Sequence, residues 1–152
     1  MRDDAIMPTM AMTEESLTFA WPIRVYYEDS DAGGIVYHSQ YLNFMERART
    51  EWLRALGFEQ TELIDSFGIL FVVRNIGIQY KKPARFNDAL MVRSRLQKLG
   101  RSLMVFEQDI VRGEERLTLA SVEVVCINAN TYMPAPIPQP IQQKMQSVME
   151  SQ

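Results

Sequence analysis

The sequence predicts an α+β domain in which one long central helix is wrapped by an antiparallel five-stranded sheet. Three observations carry this. Apolar residues recur at helical spacing over the long stretch from Ser39 to Leu56. After Gly68 the pattern changes to four strand-like runs, with a fifth run ahead of the helix. The links between successive strands are too short for parallel crossovers, so meander-like antiparallel pairing is expected.

The elements follow in order. Residues 1–18 contain Asp3, Asp4, Glu14 and Glu15 with little periodicity, and read as a flexible leader. Trp21 to Tyr27 mixes aromatic and β-branched residues and predicts the first strand, with Pro22 near its start where a missing N–H is tolerated. Tyr41, Phe44, Met45, Ala48, Trp52 and Leu56 form one stripe of an amphipathic helix, opposite Asn43, Glu46, Arg47, Glu51 and Arg54. Ser39 is the expected N-cap, and Gly57-Phe58 fits a left-handed stop with its hydrophobic contact. A short helical stretch is expected over Glu59 to Phe67.

The strand runs are Ile69 to Tyr80, Ala89 to Leu99, Ser102 to Arg112 and Leu117 to Asn128, punctuated by Gly100-Arg101 and Gly113-Glu114. Leu90, Val92, Ser94 and Leu96 alternate with Met91, Arg93, Arg95 and Gln97, which gives one core face and one outer face. Pro134, Pro136, Pro138 and Pro140 exclude a sheet interior. The expected organisation is therefore a single domain over 19–134 followed by a Pro-rich surface tail over 135–152, in which Ile141 to Met149 reads either as a terminal helical turn or as disordered. One helix against one sheet leaves strand edges bare, so dimerisation through those edges or through the helix is expected.

With 152 residues there is room for one core and no separate cofactor domain. A formal net charge of -3 argues against nucleic acid or an anionic membrane as main partner. One cysteine and one histidine supply neither an internal disulfide nor the usual zinc sets, so no metal and no cofactor are expected. No apolar run has spanning or signal length, and a cytoplasmic setting without membrane insertion is the expectation.

Chemistry concentrates between Tyr26 and His38, where Glu28, Asp29 and Asp31, the paired Gly33 and Gly34 and the only histidine stand between strand and helix. Glycines let backbone N–H groups approach a ligand closely, and a helix N-terminus favours negative charge. A carboxylate beside such a terminus suits hydrolysis of an activated acyl group. Spacing alone favours reading Asp31 as a turn or capping residue before glycines. Asp29 reads as a loop-orienting or solvated residue and Glu28 as the strand end. Cys126 alternates with Val122 and Val124 and reads as a small buried residue.

Arg24-Val25 with Ser30-Asp31-Ala32-Gly33-Gly34-Ile35-Val36-Tyr37-His38-Ser39-Gln40-Tyr41 resembles the signature of the 4-hydroxybenzoyl-CoA thioesterase family. Glu46-Arg47-Ala48-Arg49-Thr50-Glu51, Phe71-Val72-Val73-Arg74, Pro83-Ala84-Arg85 and Val124-Val125-Cys126 extend the likeness to its YbgC-type branch of acyl-CoA thioesterases, which is associated with the Tol-Pal envelope system. Where that family usually has Thr or Cys this chain has Ser30, which keeps the hydroxyl of Thr.

The resemblance implies the hotdog fold, a homodimer or homotetramer, and hydrolysis of acyl-CoA, or of an acyl carrier protein thioester, to the free acid. It implies that Asp31 attacks the thioester carbonyl or activates water. It also implies that N–H groups near Tyr37 and His38 polarise the carbonyl oxygen, with the His38 imidazole close to the thioester. Gly33 and Gly34 would permit acyl approach, and Tyr37 and Tyr41 would line the acyl channel. Lys81, Lys82 and Arg85, with Arg93, Arg95, Lys98 and Arg101, are candidates for coenzyme A phosphates or an acidic carrier. Two other readings stand beside hydrolysis: a hydroxyacyl-thioester dehydratase on the same fold, and a non-catalytic module that binds acyl thioesters or acyl carrier protein. A magnesium-dependent phosphoryl-transfer reading of Asp29-Ser30-Asp31 is weak, because no apolar parallel strand precedes it.

Overall fold

A computed structural model describes residues 19–152, so the expected leader lies outside the described residues. The sheet contains β1 (Phe19–Arg24), β2 (Ile69–Tyr80), β3 (Ala89–Leu99), β4 (Leu103–Arg112) and β5 (Glu115–Asn128). Their spatial order is β1-β3-β4-β5-β2, and every neighbouring pair is antiparallel. The expected meander therefore holds only from β3 to β5. β2 lies beyond β5, paired from Ile69↔Asn128 to Tyr80↔Thr118, and the 81–88 link must cross the end of the sheet to reach β3. An antiparallel link needs few residues, but its shortness does not require the two strands to be neighbours.

β1 ends earlier than expected, because the chain leaves the sheet after Arg24 and closes a 3-10 turn over Tyr27–Asp29. The Asp29 carboxylate takes the Tyr26 N–H at 2.8 Å, a local bond that competes with continuation of the ladder.

The long helix, α1, spans His38–Ala55. It starts one residue before the expected cap: Tyr37 is the N-cap without a side-chain bond, and Ser39 sits inside the first turn. The Gln40 N–H bonds the Tyr37 carbonyl at 3.0 Å, which closes the turn without help from a serine hydroxyl. Tyr41, Phe44, Met45, Ala48, Trp52 and Leu53 are buried against the sheet. Each large member of that stripe contributes roughly 1.5–3 kcal/mol.

Gly57, at φ 103°, ends the helix as expected. Its N–H bonds Arg54 O and the Phe58 N–H bonds Leu53 O, a Schellman arrangement, with Phe58 packed on the core. A short helix, α2 (Gln60–Glu62), then runs into a π-helical turn over Leu63–Phe67.

The inward face of β3 carries Leu90, Val92, Ser94 and Leu96, all buried as the alternation predicts. The segment expected as a surface tail is instead part of the core. After the prolines it forms α3 (Gln139–Ser151), with Pro140 in its first turn, where no N–H is needed. Ile137, Ile141 and Met145 of this segment join the main apolar cluster. The Gln152 carboxamide then brackets β3, accepting from Leu96 N–H at 3.1 Å and donating to Leu96 O at 2.7 Å.

Candidate active site

The loop between β1 and α1 folds back on itself. Ser30 and Val36 form an isolated antiparallel bridge, and the Asp31 N–H bonds Ile35 O at 2.9 Å. Asp31 is thereby held beside the residues that lead into α1. Its Oδ1 accepts from Gly33 N–H at 2.8 Å and Ile35 N–H at 3.3 Å, and Oδ2 has no hydrogen-bond partner among the described residues. One carboxylate oxygen is anchored and the other is open. Gly34 closes the turn at φ 82°, where a side chain would be strained, and a Cβ at Gly33 would lie 3.4 Å from Asp31 Oδ1.

Asp29 proved more embedded than its sequence context suggests. It is buried, and its two oxygens take Tyr26 N–H and Gln40 Nε2, both at 2.8 Å. The loop is thus tied to the first turn of α1, in agreement with an orienting role and not with a solvated one. Nothing in the sequence marked Gln40 as its partner.

At the start of α1, the N–H groups of His38 and Ser39 reach no acceptor among the described residues, and Tyr37 N–H makes only a 3.4 Å bond to Asp29 O. Uncapped N–H groups at a helix N-terminus attract an oxyanion. Tyr37 is exposed and His38 is exposed beside it. The His38 ring meets Tyr80, on the last residue of β2, edge to face at 4.7 Å, and the Tyr80 hydroxyl donates to His38 O at 3.0 Å. Tyr41 is buried. Its hydroxyl accepts the Ala84 N–H at 2.9 Å, and burial pushes its pKa above the ordinary value. Ile35, His38, Tyr41, Tyr80 and Lys81 border a cavity of about 250 Å³.

A larger cavity, about 390 Å³, lies between α1 and β2 and is lined by Leu42, Glu46, Arg49, Phe71, Val72 and Ile76 among others. The α1 lining residue nearest His38 in sequence is Leu42, one turn along the helix. Arg49, its guanidinium held at 2.9 Å by the buried Gln108, stands about 16 Å from His38 along the helix. Burial pulls the Arg49 pKa below its ordinary value.

The basic candidates separate into two groups. Lys81, Lys82 and Arg85 belong to the 81–88 link, which is stitched to the site loop by Val36 N–H to Ala84 O and Phe86 N–H to Gly34 O. Arg93 instead makes a bidentate pair with Asp109 at 2.8 and 2.6 Å, and Arg116 joins the same carboxylate. Arg95, Lys98 and Arg101 follow along β3 and its turn, with Lys98 roughly 30 Å from the Ala89 end that borders the site loop. Within one chain, these three are not brought to Asp31. Cys126 is buried, its thiol pushed up to about 11 by desolvation, which suits packing and not nucleophilic attack. No group of three metal-ligating side chains occurs among the described residues, and no helix there is long and apolar enough to cross a membrane.

Comparison with known proteins decides the family. The thioesterase superfamily model matches residues 33–119. The chain belongs to the thioesterase superfamily. This superfamily member is 42% identical over 123 residues to an acyl-CoA thioesterase YbgC from Haemophilus influenzae, covering 81% of this chain and 90% of that one. It is 44% identical over 124 residues to an acyl-CoA thioester hydrolase YbgC from an Escherichia coli O6:H1 strain, covering 81% and 92%. Among solved structures, a probable thioesterase from Bartonella henselae superposes with a TM-score of 0.76 at 37% identity, covering 80% of this chain and 99% of that one. A 1,4-dihydroxy-2-naphthoyl-CoA thioesterase from Synechocystis superposes with a TM-score of 0.78 at 26% identity, covering 85% and 96%. The helix wrapped by five antiparallel strands is the hotdog fold of this thioesterase superfamily. The matched stretch starts at Gly33, two residues after Asp31.

Proposed function

We propose that this enzyme hydrolyses acyl-CoA thioesters to a free acid and coenzyme A, with Asp31 as the reacting carboxylate. The observation that carries the reading is the anchored Asp31 with one open oxygen, held beside the uncapped start of α1. Oδ1 is committed to the turn, so Oδ2 approaches the thioester carbonyl or takes the proton of the attacking water. The N–H groups of His38 and Ser39 then receive the developing oxyanion, where one well-placed donor is worth ~3 kcal/mol of barrier. A coenzyme A thiolate needs little protonation to leave, since an ordinary thiol has a pKa of roughly 8.5. The His38 imidazole, beside the same helix start, contacts the thioester or the water.

The cavity along α1 takes the acyl group, and the 81–88 link, with Lys81 and Arg85 exposed, faces the coenzyme A phosphates or an acidic acyl carrier protein. β2 is an edge strand with Val72 and Val73 exposed, and α1 presents Glu46 and Arg49 along one side. An edge of that length supports pairing with a second copy, so a homodimer, or a homotetramer built from two, is the working assembly. It also offers Arg95, Lys98 and Arg101 of the other copy a route to the substrate. We extend the same reading to a cytoplasmic location and a link to the Tol-Pal system, which the motif resemblance to the YbgC-type branch implies.

The test is release of free thiol by the purified protein and by Asp31→Asn, over short, long and aromatic acyl-CoAs and acyl carrier protein. We expect kcat to fall about 10²–10⁴-fold in the variant, the usual range for loss of a catalytic acid–base group. Undiminished turnover by Asp31→Asn would end the assignment of Asp31. Absence of thiol release with every substrate would favour the binding-module reading.

A further inference from the structure

We propose that Tyr80 is the positioning residue for His38, fixing both the main chain and the ring of that histidine. The inference rests on the reading of His38 as part of the thioester site. Two separate contacts converge: the Tyr80 hydroxyl donates to the His38 carbonyl at 3.0 Å, and the two rings meet at 4.7 Å with an 88° interplanar angle. Edge-to-face aromatic contacts of this kind are worth about 0.5–1.5 kcal/mol beyond burial. Among the described residues, no side chain or backbone group hydrogen-bonds the His38 imidazole, so ring packing is what sets its direction.

Tyr80 can do this because it is itself fixed. It closes β2, paired with Thr118 of β5, and its ring meets buried Tyr41 at 5.4 Å. Tyr41 in turn holds Ala84 of the 81–88 link. The contact therefore ties the start of α1 to the far edge of the sheet. Desolvation raises the Tyr80 pKa, so the phenol stays protonated and able to donate around neutral pH. The charged and titratable groups that share the cavity with His38 are Tyr41, Tyr80, Lys81 and Lys82.

His38 is the only histidine of the chain, so its imidazole C–H resonances can be read without ambiguity in the intact protein. Tyr80→Phe keeps the ring and loses the hydroxyl bond, whereas Tyr80→Leu loses both. We expect the His38 resonances to shift modestly in the first variant and move toward those of a free imidazole in the second. In step, kcat should fall about tenfold and then about a hundredfold with KM within about twofold, the cost of misplacing a reacting group by an ångström or so. His38 resonances unmoved in folded Tyr80→Leu, or moved without any fall in kcat, would overturn the proposal. Full activity of His38→Ala would instead remove the underlying reading of His38, and the positioning role with it, while Asp31→Asn reports separately on hydrolysis itself.

Discussion

At the scale of single residues, the site is defined by which carboxylate oxygens are spoken for. Asp29 has both engaged and Asp31 has one open, although the two stand two positions apart in an acidic run. Replacing Asp29 by Ala strands the Tyr26 N–H and the Gln40 amide in a part-buried pocket. The expected cost is about 1–3 kcal/mol of stability in urea denaturation, with a loss of turnover because the loop is no longer tied to α1. Unchanged stability would show that water replaces the carboxylate fully. The sequence placed Asp31, Gly33, Gly34, Tyr37 and His38 in one loop and helix start, since they are neighbours along the chain. It did not reveal Tyr80 or Gln40 as partners, because both pairings depend on side-chain direction across elements.

Among the elements, two of the departures from expectation, the early end of β1 and the burial of the last segment, share a cause. Strand propensity carries the first strand on to Tyr27 and the prolines place the last segment on the surface, but a local bond to Asp29 in the one and the burial of Ile141 and Met145 in the other decide the course. The last helix is the clearer instance: Ile141 and Met145 allow a terminal helical turn by their spacing, but nothing in the surrounding prolines signals that both are fully buried. Ile141→Ala or Met145→Ala should therefore cost about 2–5 kcal/mol, as core truncations do, where a surface tail would tolerate either. Thermal denaturation of both variants checks this. Gly34→Ala should cost about 1–2 kcal/mol for a side chain in the left-handed region, and lower activity by reshaping the turn that anchors Asp31. The long helix and four of the strands were legible because periodicity and turn chemistry agree over many residues.

For the molecule as a whole, strand order was the part hidden from sequence. Hydrophobic alternation identifies strands and their faces, but not which edge of β5 receives β2. That choice sends the 81–88 link over the site end of the sheet, where an ionic cluster pins it: Lys82 with Glu115, and Arg112 with Glu115 and Asp88. Lys82 and Arg112 hold the Glu115 carboxyl down to about 2 from its ordinary 4.5. A depressed carboxyl stabilises the fold above its unfolded value, so this contribution is complete above about pH 4.5 and disappears as pH falls toward 2. Glu115→Gln should flatten that acid limb in a stability-versus-pH series, and an unchanged limb would assign acid sensitivity to other carboxylates.

The stitching between the site loop and the 81–88 link also bears on how the protein folds. Four backbone hydrogen bonds join Val25, Gly34 and Val36 to Ala84, Phe86, Asn87 and Asp88, segments about fifty residues or more apart in the chain. Contacts of such long sequence separation form late, after shorter loops have closed. Local hairpins β3–β4 and β4–β5 can assemble first, but the Asp31 turn acquires its lasting shape only once β2 has crossed to the far edge and its link has docked. Catalytic competence is then a reporter of the final closure: during refolding, thiol release should return with the slowest phase and never ahead of it.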